Sequence, residues 1–236
     1  MAQCPHCGEE VAGIPEICPS CGKRWSAPDA AIPQFLVQPG KYLRDGWELF
    51  KQNPGGFIGF ALIFFIIQGI LSYFPRVGGL ISLAVSAPLL AGFYVVSAKL
   101  LQRRVPKFQD FFAGFQFFLP LLLLSVISSL LIILGFIFLV LPGIYLLVCY
   151  LFASMLVIDR RLDFWPAMEL SRRTVQSQWF GFFIFLLLII IINLGGVLLL
   201  GIGLLVSGPV SACAVAAAYA DVFGLQSDYS GSIPRL

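Results

Sequence analysis

Three stretches of 47 or 48 residues, nearly free of charged side chains, dominate this chain. They lie between Lys51 and Lys99, between Asp110 and Asp159, and between Arg173 and Asp221. A helix that crosses a bilayer needs about 20 apolar residues, so each stretch is long enough to cross and return. Because backbone polar groups in hydrocarbon must be hydrogen-bonded within the spanning structure, these stretches should be helical. The sequence therefore predicts an all-α polytopic membrane protein with six transmembrane helices in three hairpins.

The placement of the charged residues predicts the orientation of these helices. Only 11% of the residues are charged, against roughly 25% in an average soluble domain. Of the 15 Lys and Arg residues, 14 lie outside the three stretches, and only Arg76 lies within one. Short basic loops stay in the cytoplasm, so we expect a multi-pass protein of the cell (inner or plasma) membrane with both termini cytoplasmic. We expect the basic residues to contact lipid headgroups, which disfavours nucleic acid as a partner. The N-terminus lacks the apolar core of a signal peptide.

Two copies of the pattern C-P-x-C-G lie near the N-terminus, at residues 4–8 and 18–22. Two residues between the cysteines allow both thiolates of a tight turn to bind one ion, and the following glycine permits a positive φ. Together the copies supply four sulfurs, the tetrahedral set of a closed structural zinc site. The predicted ligands of this structural Zn²⁺ are Cys4, Cys7, Cys18 and Cys21. Such a small ribbon depends on the metal for its fold.

Other interpretations of these cysteines are two disulfides, a redox pair, an iron–sulfur cluster or no metal. A cytoplasmic location keeps thiols reduced, and a redox C-x-x-C pair normally has no second copy beside it, so zinc is favoured. Four sulfurs fill the coordination shell, which disfavours metal catalysis. His6, the only histidine, lies inside the first pattern, where we expect it to be exposed.

The N-terminal pattern resembles the small zinc ribbon found at the start of many prokaryotic membrane and regulatory proteins, over about residues 3–25. A stretch with three prolines follows and has no strong hydrophobic period. The predicted organisation is a zinc ribbon at 1–25, a linker at 26–40, a six-span membrane domain at 41–225 and a cytoplasmic tail at 226–236.

A short amphipathic segment precedes each hairpin. Short helices with aromatic residues on one face fit the headgroup layer of a membrane, and the alternative is that each segment is the polar end of the next span. The residues that define these segments are Leu43, Trp47 and Phe50 in the first, Phe108, Phe111, Phe112, Phe115 and Phe118 in the second, and Ala167, Leu170, Ser171 and Thr174 in the third.

The second spans of the first and third hairpins are rich in Gly, Ala and Ser, which allow helix backbones to approach closely. We therefore expect these two spans at the centre of the bundle, and residues 57–74, 119–140 and 179–194 toward lipid. Each hairpin also has a proline at or near the start of its second span. These residues, Pro88, Pro142 and Pro209, could open or kink their helices.

The spans carry few side chains suited to catalysis or ion transport. No acidic, basic or His residue lies well inside them, and Gln68, Asn193 and scattered serines are the polar groups. Such residues more often bond a neighbouring helix than line a path. A single histidine excludes a Ser/His/Asp triad elsewhere in the chain, and no phosphate-binding glycine loop is present. The chain is therefore predicted not to be an enzyme, with no catalytic or cofactor-binding residues.

The motifs Leu141-Pro142-Gly143-Ile144-Tyr145 and Val157-Ile158-Asp159, and the basic stretch from Ala167 to Trp179, resemble a set of uncharacterised bacterial six-span membrane proteins. Those proteins are related to the membrane domain of some glycerophosphoryl diester phosphodiesterases. The resemblance covers about residues 41–224. It implies the six-span architecture and no site residues, because the chemistry of that family resides in a separate soluble domain.

Two functions are compatible with these features. The first is a non-catalytic membrane protein whose zinc ribbon docks a protein partner, acting as an adaptor, assembly or membrane-homeostasis factor. The second is a transporter or channel for an uncharged or lipid-like substrate. The lack of charge inside the spans favours the first, and a water-accessible cavity lined by Gln68, Asn193 and the serines would favour the second. The sequence leaves open whether the protein forms a homo-oligomer.

Overall fold

The computed structural model describes residues 2–3, 10–11, 36–74, 78–199 and 201–225. The chain divides into two compact units, Met1–Leu36 and Val37–Leu236. In the first unit, strand β1 (Ala2–Gln3) pairs antiparallel with β2 (Glu10–Val11). The four predicted zinc ligands, most of the predicted linker and the predicted tail lie outside the described residues.

The described part of the second unit is helical. In chain order its elements are α1 (Pro39–Gln52), α2 (Pro54–Ser72), α3 (Gly78–Leu101), a 3-10 helix (Phe108–Phe117), α4 (Phe118–Phe138), α5 (Val140–Cys149), α6 (Ala153–Arg160), α7 (Phe164–Gln176), α8 (Trp179–Leu198) and α9 (Leu204–Phe223). Six segments are long and apolar enough to cross a membrane: α2, α3, the 3-10 helix with α4, α5 with α6, α8, and α9. The prediction of six membrane-spanning helices is therefore confirmed by length and composition.

The second span of each hairpin lies at the centre of the bundle. In α9, 72% of the most apolar stretch is buried within the protein, and in α3 the share is 50%. The first spans, which include α2, α4 and α8, are only 17% buried and present Leu, Ile and Phe side chains on the outer surface. This arrangement confirms the prediction made from the small residues. The span formed by α5 and α6 is also 50% buried, which the sequence did not predict.

The three prolines have two different roles. Pro88 and Pro209 lie inside α3 and α9, where a proline removes one backbone donor from the helix. Pro142 lies in the first turn of α5, where that donor has no helical partner to lose. Two of the prolines are therefore internal to their spans and one opens its span.

The first and third amphipathic segments form helices of their own, α1 and α7, separate from the spans that follow, whereas the second runs directly into α4 and belongs to the same apolar segment. The second segment differs from the expected α-helical stripe because it is a 3-10 helix. In a 3-10 helix residues i and i+3 share a face. Phe111 and Gly114 are buried together on one face, and Phe112 and Phe115 are exposed together on another. A Cβ at Gly114 would overlap the carbonyl oxygen of Pro88, so the tight coil fits directly against α3.

The fourth span is broken near its middle. Helix α5 ends at Cys149 and α6 begins at Ala153. Ser171 of α7, which is fully buried, donates to the carbonyl oxygen of Cys149 at 2.7 Å and accepts from the backbone N–H of Phe152 at 3.3 Å. One hydroxyl group from a neighbouring helix therefore satisfies two backbone groups that the break would otherwise leave unpaired.

Candidate functional site

Several charged contacts that join different helices gather at one end of the helical bundle. We call it the charged end and define it by Lys41, Lys99, Asp110, Asp159, Arg160 and Asp221. The start of α1, the end of α3, the end of α6 and the end of α9 meet there.

Helix α1 is fastened across α9 by a close backbone contact and by polar bonds. A Cβ at Gly46 would lie 2.6 Å from the backbone nitrogen of Ala214, so this crossing requires glycine. At the charged end, Tyr42 donates from its hydroxyl to Asp221 at 2.8 Å, and Lys41 pairs with the same carboxylate at 3.1 Å. Burial, followed by the hydrogen bond to Asp221, raises the pKa of Tyr42 above its usual range, so this hydroxyl remains a donor.

Two further contacts hold the end of α9 to α6. Tyr219 donates to Asp159 at 2.7 Å. The guanidinium of Arg160 donates to the carbonyl oxygen of Phe223 at 2.9 Å and lies 5.6 Å from the centre of its ring. The last turn of α9, whose carbonyls have no helical partners, is therefore capped by a cation from another helix.

The C-terminal end of α3, which also lies at the charged end, is held to the 3-10 helix by an ion pair. Lys99 lies 2.8 Å from Asp110, and both side chains are about four-fifths buried. Asp110 also accepts from the backbone N–H of Lys107 at 2.7 Å and so caps the start of the 3-10 helix. One carboxylate therefore joins two elements and fixes the first turn of one of them.

Helix α7 carries a cluster of one carboxylate and two guanidinium groups. Glu169 receives two hydrogen bonds from Arg172, at 2.8 and 2.9 Å, and one from Arg173 at 2.7 Å. The hydrogen bonds from Arg172, followed by the one from Arg173, lower the pKa of Glu169 to about 2. The same contacts raise the pKa of Arg172. The carboxylate stays ionised and paired at neutral pH, which suits a structural role and does not suit general acid or base catalysis.

The polar side chains that the sequence analysis singled out inside the spans mostly bond a neighbouring helix. Gln68 accepts from Ser82 at 2.5 Å and joins α2 to α3. Asn193 donates to Ser211 at 2.7 Å and accepts from Ser207 at 3.1 Å, which joins α8 to α9. The two amides therefore hold the helices together, as the sequence favoured.

An apolar groove of about 550 Å³ runs between α8 and α9, beneath α1. Its lining consists of Leu43, Trp47, Ile192, Gly195, Gly196, Leu199, Gly203, Val206, Ser207 and Val210. The sequence analysis did not predict this groove. The adjacent glycines Gly195 and Gly196 could have signalled it, because they remove side-chain volume from one face of α8.

Within the described residues, no group of three or more His, Cys, Asp or Glu side chains could hold a metal ion. The predicted ligands Cys4, Cys7, Cys18 and Cys21 lie outside those residues, so their zinc site stays a prediction. Of the other two cysteines, Cys213 lies 3.3 Å from the hydroxyl of Ser97. Both Cys213 and Cys149 are buried, as expected for small packing residues.

Comparison with protein-family models, with curated proteins and with solved structures finds no match to this chain.

Proposed function

We propose that this protein is a non-catalytic integral membrane adaptor whose N-terminal zinc ribbon docks a cytoplasmic or membrane-bound protein, in an assembly or membrane-homeostasis role. The observation that supports this proposal best is the attachment of α1 to α9 at the charged end. The chain that follows the predicted ribbon enters α1, which Gly46 and the Tyr42–Asp221 bond fasten to the most buried span. An event that displaces α1 would therefore act on the most buried span.

The bonding of the polar residues inside the spans also supports an adaptor. Gln68 and Asn193 are occupied by serines of neighbouring helices. Ion pathways usually leave charged or unpaired polar groups facing a cavity. A bundle held together in this way suits a fixed platform for a docking module.

The zinc ribbon is the first part of the proposal to test. Purified full-length protein should contain one zinc per chain by metal analysis, and the variant Cys18→Ser/Cys21→Ser should contain none. The variant should still insert in the membrane, because the spans do not need the ribbon. A full equivalent of zinc in the variant would refute the ligand assignment.

The docking role is tested by cross-linking in native membranes followed by purification and protein identification. A partner recovered with the wild-type protein should be lost with Cys18→Ser/Cys21→Ser and retained with Ser72→Ala. The latter changes an exposed side chain that bonds only its own helix in the described part of the chain. Equal recovery with all three proteins would show that the ribbon is not the docking module.

The proposed orientation, with both termini cytoplasmic, rests on the 14 basic residues outside the uncharged stretches. An impermeant thiol reagent added from outside should label a cysteine placed at Arg76. It should not label one placed at Lys107 or Arg161. Labelling of Arg161→Cys from outside the cell would overturn the orientation.

A transporter or channel for an uncharged or lipid-like substrate is the second candidate, and the apolar groove beneath α1 favours it. A Cβ at Gly195 would meet no atom within 4 Å, so Gly195→Leu should fill the groove without disturbing the helices. If the groove holds lipid, a photoreactive phosphatidylcholine should label α8 and α9 in the wild type and label them less in this variant. Equal labelling would remove the support that the groove gives to this function.

A further inference from the structure

A second cavity, of about 200 Å³, lies inside the membrane-spanning part of the protein beside the broken helix. Its lining combines seven hydroxyl-bearing residues with a few apolar ones. The hydroxyl-bearing residues are Ser86, Tyr94, Ser125, Ser128, Ser129, Tyr150 and Ser154. They come from α3, α4, α6 and the turn between α5 and α6, so four parts of the chain that are distant in sequence supply one polar surface.

Three of these hydroxyls are bonded within their own helix. Ser86 donates to the carbonyl oxygen of Leu83 at 3.1 Å, and Ser125 donates to that of Leu122 at 2.9 Å. Ser128 donates to the carbonyl oxygen of Ser125 at 3.3 Å. Such bonds satisfy the donor of each group and leave lone pairs free to accept.

The other four hydroxyls make no hydrogen bond to any residue that the structure describes. They belong to Tyr94, Ser129, Tyr150 and Ser154. A hydroxyl removed from water without a partner costs about 1–3 kcal/mol by mutational data, and more in a solvent that cannot hydrogen-bond. The four residues are only partly buried, so a polar molecule that reaches the cavity can supply the partner that hydrocarbon cannot.

The backbone beside the cavity supports the same conclusion. Non-helical backbone at membrane depth is tolerated only where it is buried in protein or lines a polar cavity. The turn from Tyr150 to Phe152 interrupts the fourth span near its middle. Tyr150, at the start of this turn, lines the cavity directly. Discontinuous helices commonly form substrate sites in membrane proteins.

Tyr150 also lines a neighbouring cavity of about 150 Å³ on the α7 side. The other residues of that cavity are Trp165, Met168, Glu169 and Arg172. Arg172 and Glu169 are partly exposed, so this outer cavity reaches solvent. One side chain, Tyr150, therefore stands between a solvent-exposed cavity and the hydroxyl-lined one.

We propose that the hydroxyl-lined cavity binds a small neutral polyol, about the size of glycerol, that enters from the α7 side past Tyr150. No charged side chain lines the cavity, which disfavours an ionic ligand. Hydroxyl groups donate and accept at once, so they match a ligand whose own groups do both. At about 30 Å³ for each water molecule in the liquid, the cavity has room for roughly six waters or one small polyol. This site does not depend on the zinc ribbon or on the adaptor role.

The test uses full-length protein in phosphatidylcholine nanodiscs and measures saturation transfer from the protein to glycerol by NMR. We expect a saturable signal for glycerol and little signal for sucrose, a disaccharide that is larger than the cavity. In Tyr94→Phe/Ser129→Ala/Ser154→Ala the dissociation constant should rise about tenfold or more, since two or three hydrogen bonds to the ligand are lost. Ser72→Ala, which removes an exposed hydroxyl that does not line the cavity, should bind glycerol as the wild type does.

A second variant keeps every hydroxyl and fills the space. Ala87 lines the cavity, so Ala87→Leu should abolish the saturable signal. Circular dichroism and the unfolding temperature establish that each variant is folded. If the polar variant does not fold, Ala87→Leu and the difference between glycerol and sucrose decide the question. No saturable signal in the wild type, or equal signals in the wild type and Ala87→Leu, would show that the cavity holds only water, and the proposal would be wrong.

Discussion

We expect Ser171 to stabilise the break in the fourth span, and Ser171→Ala tests this expectation directly. The hydroxyl donates to the carbonyl of Cys149 at 2.7 Å and accepts from the N–H of Phe152 at 3.3 Å. Both hydrogen bonds are buried. Alanine removes them together and leaves one acceptor and one donor without a partner beside the break.

The expected cost follows from these two orphaned groups. A buried polar group that loses its partner costs about 1–3 kcal/mol, so the substitution should lower the free energy of unfolding by roughly 2–6 kcal/mol. Water entering from the adjacent polar cavity would bring the cost toward the lower figure. Equilibrium unfolding in mixed micelles measures the total, and hydrogen exchange at the Phe152 amide measures the local opening.

Ser177→Ala is the matched control for this prediction. Ser177 lies just after the end of the same helix, is partly exposed and donates only to the carbonyl of Thr174, at 2.8 Å. Its loss should cost less than about 1 kcal/mol, the net value of an ordinary hydrogen bond. If the two variants unfold alike, or if the Phe152 amide exchanges at the wild-type rate in Ser171→Ala, then Ser171 does not stabilise the break.

Two further predictions concern packing and pH. A Cβ at Gly92 would overlap the carbonyl oxygen of Phe111, so Gly92→Ala should destabilise the protein by about 1–3 kcal/mol or more. Gly69→Ala, which meets no atom within 4 Å, should be neutral or stabilising by up to about 1 kcal/mol; equal unfolding midpoints would contradict this. Glu169 has its pKa lowered to about 2 by Arg172 and Arg173, so its contribution is complete above the usual carboxyl pKa and is lost as the pH falls toward 2. The free energy of unfolding should therefore decline less between pH 5 and pH 2 in Glu169→Gln, and an unchanged pH profile would show that this cluster adds no stability.

The positions of the helices were predictable because hydrocarbon imposes a strict rule on the sequence. A span must be apolar and about 20 residues long, and the three uncharged stretches meet that rule twice each. The central position of α3 and α9 followed from a second rule, since only small side chains allow close approach of helix backbones. Ala91 and Ala214, which are nearly or fully buried, lie on the faces that this argument selected.

The broken span and the 3-10 helix were not predictable in the same way. The stretch from Val140 to Ile158 carries no charged residue on either side of the break, so hydropathy gives no sign of it. The break depends on Ser171, which follows Phe152 by 19 residues. The 3-10 helix likewise depends on the close approach of Gly114 to Pro88 of α3. Both features involve contacts between segments that are distant in sequence, and the local pattern of residues does not predict such contacts.

The serines show most clearly why a functional site in a membrane protein is hard to find from sequence. Ser211 and Ser129 are both serines in apolar membrane-spanning helices, and residue type alone does not separate them. Ser211 bonds Asn193 across a helix interface, whereas Ser129 lines a cavity in which no described residue bonds it. The hydroxyl of Ser211 has a hydrogen-bond partner in the folded protein, whereas that of Ser129 is available to bind another molecule. The same residue type therefore serves as a structural contact or as part of a candidate site according to whether its partner is already present in the fold.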